Sequence, residues 1–353
     1  MQPLKVAAFG TGFFSQYHYD AWSRIAGVEL AGICVHSNRD RAEEFAKRYG
    51  AAAVFTDPEE MLDRTKPDLV DIITTPESHA SIYDEVAARR IPAICQKPLA
   101  PSFPEARALA ATAGDAGALL VAHENWRFKP WNREARRLID AGAIGEPYNI
   151  LFRMRPGDGQ GPRAYLDRQP YFQQMPRFLI HETGVHMIDV FRYLFGEMNG
   201  VMARLRRLNP VIAGEDSGIV VFSFASGAAG VLDGNRLADF EAENTRLTMG
   251  EMILDGSEGS IRLDGAGNLR LRARGKPERL HEYTWENRGY AGDCVYALQR
   301  HVVEHLRTGS PVENTAREYL RNIEIEEAIY RSHDEGAWIE LPPVAAAKGR
   351  GEA

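Results

Sequence analysis

The sequence predicts an α/β protein in two domains: an N-terminal doubly wound parallel sheet, then an α+β domain built on a large mixed or antiparallel sheet. Three observations carry this expectation. The chain opens on an apolar run, Leu4 to Phe9, that passes directly into Gly10-Thr11-Gly12-Phe13-Phe14-Ser15. Strand-like and helix-like segments then alternate to about residue 125, the order that βαβ units with right-handed crossovers require. Beyond it, short apolar strands succeed one another at Gly-containing turns, which points to antiparallel pairing covered on one side by helices.

Taken in order, residues 16–25 read as a helix, 28–35 as a short apolar strand, and 39–49 as an amphipathic helix ended by Gly50. A short strand at 54–55 precedes a helix at 58–64 opened by the cap-like Asp57 and Pro58. The strand 69–73, the helix 78–89, the strand 93–95, the helix 104–113 and the strand 119–122 complete the first domain, 1–125. The second, 126–345, begins with a helix at 133–141 and a strand at 148–154. Residues 157–177 are rich in Gly, Pro, Gln and aromatics and too long for an ordinary connection, so this loop is functional or mobile. A helix at 181–194 follows, then strands at 201–208, 218–224, 229–232, 246–254, 260–263 and 269–272, helices at 293–306 and 316–333, and a short strand at 338–341. The tail, 346–353, is expected to fray.

At 353 residues, with 44% hydrophobic and 26% charged, the chain is long enough for two cores and has ordinary globular composition. A net charge of -7 argues against nucleic acid or an anionic membrane as the main partner. Arg204, Arg206 and Arg207, interleaved with Ala203 and Leu205, read as the solvated face of a strand. Cys34, Cys95 and Cys294 lie among apolar neighbours without paired spacing, as buried thiols of a reduced cytosolic protein do. No apolar stretch of membrane-spanning length and no leader pattern occurs, so the expected location is the cytoplasm. The broad second sheet needs its outer face covered, which makes a homodimer or homotetramer the expected assembly.

Chemistry enters with the glycines. Gly10 and Gly12 allow a tight turn and let backbone N–H groups approach a pyrophosphate at a helix N-terminus, with the small Ser15 in the third position. The second strand ends in Val35-His36-Ser37-Asn38-Arg39, with no acid to read a ribose 2′-hydroxyl. Ser37 and Arg39 suit a 2′-phosphate and Ser or Asn a hydroxyl, so NAD and NADP both remain open. Thr74-Thr75-Pro76-Glu77-Ser78-His79 follows the fourth strand at the carboxyl edge of the sheet, either as a Pro turn at a helix start or as part of a ligand site. Lys97, in Gln96-Lys97-Pro98, falls at the same edge on backbone held extended by the proline. In Glu182-Thr183-Gly184-Val185-His186-Met187-Ile188-Asp189, positions 182, 186 and 189 share one helical face. That face is a surface salt bridge, a metal site together with His181, or a general base held by a carboxylate. With Lys97 and the nucleotide fold beside it, the general base is favoured and no metal is expected.

At these residues the chain resembles the glucose-fructose oxidoreductase, inositol dehydrogenase and rhizopine catabolism protein family (Gfo/Idh/MocA), and the resemblance spans almost its whole length. The family pattern of a glycine turn, Thr-Pro-Asn-x-x-His, Glu-Lys-Pro and Asp-x-Gly-x-His-x-x-Asp appears as Gly10 to Ser15, Thr75 to His79, Gln96-Lys97-Pro98 and Glu182 to Asp189. It departs at Glu77 for Asn, Gln96 for Glu and Glu182 for Asp. The resemblance implies an NAD(P)-dependent dehydrogenase in which Lys97 polarises a sugar or polyol hydroxyl, His186 takes its proton and Glu182 positions the imidazole. It puts Gly10, Thr11, Gly12, Phe13, Phe14, Ser37, Asn38, Arg39, Thr75, Pro76, His79, Gln96, Lys97, Asn125 and Arg127 at the cofactor. Arg127, Arg155, Tyr165, Tyr171, Gln173 and Arg177 join Lys97, Glu182 and His186 as substrate candidates. The segments 10–22, 124–131 and 153–192 look most like the members that oxidise the branched pentose apiose to its lactone. An inositol or cyclic-diol dehydrogenase is the alternative, and a non-catalytic dinucleotide sensor is the alternative of another class.

Overall fold

A computed structural model describes residues 2–344. The first strand, β1 (Leu4–Phe9), is followed by α1 (Ser15–Arg24), β2 (Val28–Cys34), α2 (Arg39–Tyr49), β3 (Val54–Phe55), α3 (Pro58–Thr65) and β4 (Leu69–Ile72). The series continues with α4 (Pro76–Ala88), β5 (Ala93–Gln96), α5 (Phe103–Ala116) and β6 (Leu120–His123). The six strands are parallel and ordered β3-β2-β1-β4-β5-β6. The order reverses between β1 and β4, so the crevice at their carboxyl ends is where a doubly wound sheet binds its ligand. Residues 6–9 and all of β4 are buried, as strands covered on both faces must be. Asp71 is the acid among them, at 0% exposure.

Helix starts follow local chemistry. Asp57 accepts from the N–H of Glu60 and Ser102 from that of Glu105, each with a proline in the first turn behind it. Pro76 likewise opens α4, two residues before the sequence-based start at 78, because a first-turn proline needs no N–H partner.

The chain goes on with α6 (Pro130–Asp140), β7 (Pro147–Met154), α7 (Val185–Phe195), β8 (Met198–Arg206), β9 (Ser217–Phe224), β10 (Ala229–Asn235), the short α8 (Thr245–Thr248) and β11 (Gly250–Gly256). Then come β12 (Gly259–Leu263), β13 (Leu269–Ala273), β14 (Arg279–His281), α9 (Cys294–Thr308), α10 (Ala316–Glu335) and β15 (Ile339–Glu340), and the strands from β7 on form the second sheet. Its nine strands run β14-β13-β12-β11-β7-β10-β9-β8-β15, antiparallel except for the parallel pair β7 and β10. Ala203 and Leu205 of β8 are buried while Arg204 and Arg206 are exposed, the alternation expected of a one-sided sheet.

Four expectations change. The helix read at 181–194 is a π-helical turn, Leu179–Gly184, running into α7. The strand read from 246 starts at Gly250, because Asn244 caps α8 through the N–H of Arg246. β14 was not foreseen: its three residues are polar-flanked and largely exposed, with no apolar alternation to mark them. Residues 285–324 form one compact unit with 2–130, and 131–284 with 325–344 the other, so the boundary falls close to the expected 125 but a later segment returns to the first unit. The reason lies in long-range contacts: Arg24 makes a bidentate pair with Asp293, Gln299 of α9 reaches Asp71, and Thr315 bridges β6 at Val121. The tail 346–353 lies outside the described residues.

Candidate active site

In the first unit, Gly10 closes the turn after β1 at φ +99°, and a Cβ there would stand 3.0 Å from Cγ2 of Thr74 and 3.1 Å from the Ile73 carbonyl. Above Gly12 there is no atom within 4 Å of where a Cβ would be. The carbonyls of the turn are taken up internally, Gly10 by the Tyr19 hydroxyl at 2.9 Å and Gly12 by the Ser15 hydroxyl at 2.7 Å. Phe14 precedes α1 and offers no side-chain cap, and in the first turn the N–H groups of Ser15 and Tyr17 donate to the carbonyls of Gly12 and Phe14 at 3.3 and 3.1 Å. Open space over Gly12 beside an uncapped helix start fits the pyrophosphate of a dinucleotide.

Farther along this edge, Asn38 adopts φ +60° and its side chain caps α2 through the N–H of Arg41. Arg39 pairs with Glu43 at 2.9 Å, and both are more than half exposed. Thr75 is exposed at the start of α4. His79 is fully buried, its ring nitrogens each 3.1 Å from a carbonyl, Leu99 on one side and Thr74 on the other, and burial lowers its pKa. It ties the loop after β4 to the loop after Lys97. Lys97 itself is half-buried, and the peptide bond to Pro98 is cis. Asn125 is buried beside a 3-10 turn, Trp126–Phe128, and Arg127 of that turn lies 3.3 Å from Glu313.

In the second unit the π turn presents Glu182 half-buried, and the first turn of α7 presents His186 at 7% exposure. π turns recur at functional sites, and this one is held from both ends. Oε1 of Glu215 accepts the N–H groups of Phe178 and Ile180 at 3.2 and 3.0 Å, and also the Tyr330 hydroxyl at 2.7 Å. His181 lies 2.6 Å from Glu326, and among the described residues no group of three or more His, Cys, Asp or Glu is set to hold a metal. Arg236, 2% exposed, donates to Thr183 of the π turn at 2.8 Å and to both oxygens of Asp158 at 3.1 and 2.7 Å. One buried cation thus ties the long loop to the segment bearing Glu182.

Comparison with known proteins matches residues 4–123 to an oxidoreductase family with an NAD-binding Rossmann fold and residues 132–262 to the GFO/IDH/MocA C-terminal domain. The chain is 32% identical to a D-apiose dehydrogenase of Paraburkholderia graminis over 97% of this chain and 91% of that protein. The chain belongs to the Gfo/Idh/MocA family. A D-apiose dehydrogenase of Rhizobium rhizogenes is 30% identical, covering 97% of this chain and 98% of that one. Among solved structures, an oxidoreductase from Agrobacterium radiobacter in complex with NAD+, L-tartaric acid and magnesium superposes with a TM-score of 0.85 at 28% identity, over 96% of this chain and 98% of that one. The first domain is therefore an NAD-binding Rossmann domain in a family of dehydrogenases.

Against the Gfo/Idh/MocA pattern, several expected ligand residues turn out to be committed inside the protein. Both ends of the Gln96 amide are used internally, Nε2 toward His18 at 3.1 Å and Oε1 toward the Lys97 N–H at 2.7 Å. Tyr165, at φ +70°, is buried among Phe172, Phe178 and Ile212 with its hydroxyl on Asp158. Gln173 donates to the carbonyls of Pro162 and Ala164, and Arg155 binds Asp233. These three contacts order the loop and the sheet. Arg177 pairs with Glu327 at 2.6 Å and lies 4.2 Å over the Tyr330 ring. Tyr171 is more than half exposed, yet packing around its hydroxyl and then the charge of Glu182 push its pKa up to about 12. His18, Asp71, Asp158, Glu215 and Arg236 escaped the sequence reading. Only Asp71 carried a visible signal: a charge inside an apolar strand requires buried partners.

Proposed function

We propose that the chain is an NAD-dependent sugar dehydrogenase that oxidises a hydroxyl of an aldose, with D-apiose going to its lactone. The observation that supports this most is the full-length similarity to two D-apiose dehydrogenases at 32 and 30% identity. The glycine turn and the start of α1 hold the pyrophosphate. NAD, when bound, supplies the hydride acceptor. Lys97 donates a hydrogen bond to the oxygen of the reacting hydroxyl and favours its deprotonation, and His186 takes the proton as general base. Glu182 orients the imidazole. Loss of that proton from the oxygen and of hydride from the carbon bearing it leaves the carbonyl of the lactone. Arg127, Tyr171 and Arg177 are the remaining candidates for the other sugar hydroxyls. A second copy of the chain is the proposed partner, and three free, buried cysteines fit a reducing compartment, the cytoplasm.

A screen of D-apiose, scyllo-inositol and myo-inositol with NAD+ and with NADP+, read by absorbance of the reduced nicotinamide, tests the proposal. D-apiose with NAD+ is expected to give the highest kcat/KM. Preference for an inositol would favour the second reading, which a scyllo-inositol 2-dehydrogenase of Bacillus subtilis at 27% identity supports. No turnover of any sugar or polyol would leave the sensor.

A further inference from the structure

The backbone N–H of Lys97 donates to Oε1 of Gln96, the preceding side chain, at 2.7 Å. An N–H can only donate, so the amide carbonyl faces it and the NH2 faces away. There Nε2 of Gln96 meets Nε2 of His18 at 3.1 Å. The NH2 also only donates, so this ring nitrogen is bare and the imidazole carries its single proton on Nδ1. Nδ1 lies 2.8 Å from Oδ2 of Asp71, which accepts it. His18 and Asp71 are both fully buried, and the same carboxylate oxygen also receives Trp22 Nε1 at 2.6 Å and Gln299 Nε2 at 3.3 Å. Each link allows one orientation of the next.

We propose that Gln96 is a positioning residue for Lys97, and that Asp71 sets its orientation by fixing His18 as the neutral, Nδ1-protonated tautomer. The inference rests on the reading of Lys97 as the group that holds the reacting hydroxyl. It also explains what the exchange of Glu for Gln accomplishes in this chain. A glutamate at 96 would still accept the Lys97 N–H but could not donate to His18. It would need a second proton on Nε2, an imidazolium between two carboxylates. Gln96 supplies the donor itself and removes that titration from beneath the lysine. The groups around His18 are Asp71 from β4, Gln96 from β5, the His123 ring of β6 tilted by 33° with its centre at 4.0 Å, Gln299 from α9, and Trp22 and the Phe14 edge at 5.7 Å. Asp71 and His123 are the titratable ones.

The experiment combines kinetics with NMR of the histidine ring nitrogens in the NAD-free protein, His18 being assigned with His18→Asn. The spectrum is expected to show a bare Nε2 and a protonated Nδ1, and a protonated Nε2 would overturn the proposal whatever the substrate. With D-apiose and NAD+, Gln96→Leu should lower kcat by about ten- to a hundredfold, the scale of a displaced reacting group, with KM and the NAD+ Kd each changed less than about threefold. Gln96→Glu should rescue most of kcat near neutrality and lose it as pH rises and the second imidazole proton departs, a limb the wild-type profile lacks. Wild-type kcat in Gln96→Leu, or a wild-type pH profile in Gln96→Glu, would sink the idea. Lys97→Ala is the separate control: full turnover there, or none of D-apiose by the wild type, overturns the underlying reading, while the spectrum still decides the network.

Discussion

A side chain at Gly12 would touch nothing within 4 Å, whereas one at Gly10 would press on Thr74 and the Ile73 carbonyl at φ +99°. The two glycines therefore fail differently. Gly12→Val should leave the thermal midpoint nearly unchanged while weakening NAD+ binding at least about tenfold, or about 1.4 kcal/mol, in a calorimetric titration. Unaltered affinity would mean that the space over Gly12 is not the pyrophosphate site. Gly10→Val should instead lower the thermal midpoint, since its backbone conformation disfavours any Cβ. Lys97→Ala and His186→Ala are expected to reduce kcat/KM by on the order of 10²–10⁴ with little change in NAD+ affinity, as when a positioned proton-transfer group is removed. The cysteines should be silent. Burial first, then nearby negative charge, push Cys34 up to about 12, and burial likewise puts Cys294 at about 12. Thiol titration at neutral pH should register them only after unfolding.

At the scale of elements, the loop after β7 is ordered by a small core of its own and by one buried ion pair. Tyr165, Phe172 and Phe178 pack together under the Arg236 guanidinium, whose carbon lies 4.7 Å from the Phe178 ring centre. Burial alone would raise the Asp158 carboxyl, but Arg236 and then Arg168 outweigh it and hold the pKa below the usual value. A depressed carboxyl pKa adds stability above the unfolded value, about 3.9, and that increment is lost as pH falls through it toward the folded value. Arg236→Met removes the main partner of Asp158, leaving it Arg168 and the Tyr165 hydroxyl, and should cost on the order of 3 kcal/mol in urea unfolding. Faster proteolysis within 157–177 should accompany it, and Asp158→Asn in the same chain should recover part of the loss. An unchanged cleavage rate would show that the loop is ordered without this pair.

For the whole molecule, the outer face of the nine-stranded sheet is the surface that needs explaining. Met202, Val221, Val231, Leu151 and Ile253 are in register across β8, β9, β10, β7 and β11, Val221 exposed and the other four half-buried. An apolar row of this length on a solvated face calls for a partner. The neighbouring row reads Arg204, Ile219, Asp233, Arg153 and Glu251. A two-fold axis along the strands would set Arg204 against the Glu251 position of a second copy and Asp233, already paired with Arg155, against its own counterpart. Val221→Arg combined with Leu151→Arg should shift the protein to a smaller species in light scattering. A wild-type monomer at micromolar concentration would end this reading.

What the sequence determined by itself was whatever depends on neighbours in the chain. Apolar strands alternating with capped helices specified the doubly wound half, and the glycine turn marked its binding edge, because periodicity, capping and turn chemistry act within a few residues. The same local rules misread the start of α7. Residues 179–184 wind as π where Glu215, from far along the chain, holds the N–H groups of Phe178 and Ile180. Tertiary structure also decided which polar side chains are engaged by partners inside the protein. Tyr165, Gln173 and Gln96 look alike as candidates in sequence, yet each is engaged by partners the sequence does not place beside it. The return of residues 285–324 to the first unit was equally invisible, because helix periodicity records that a face is buried but not against which sheet.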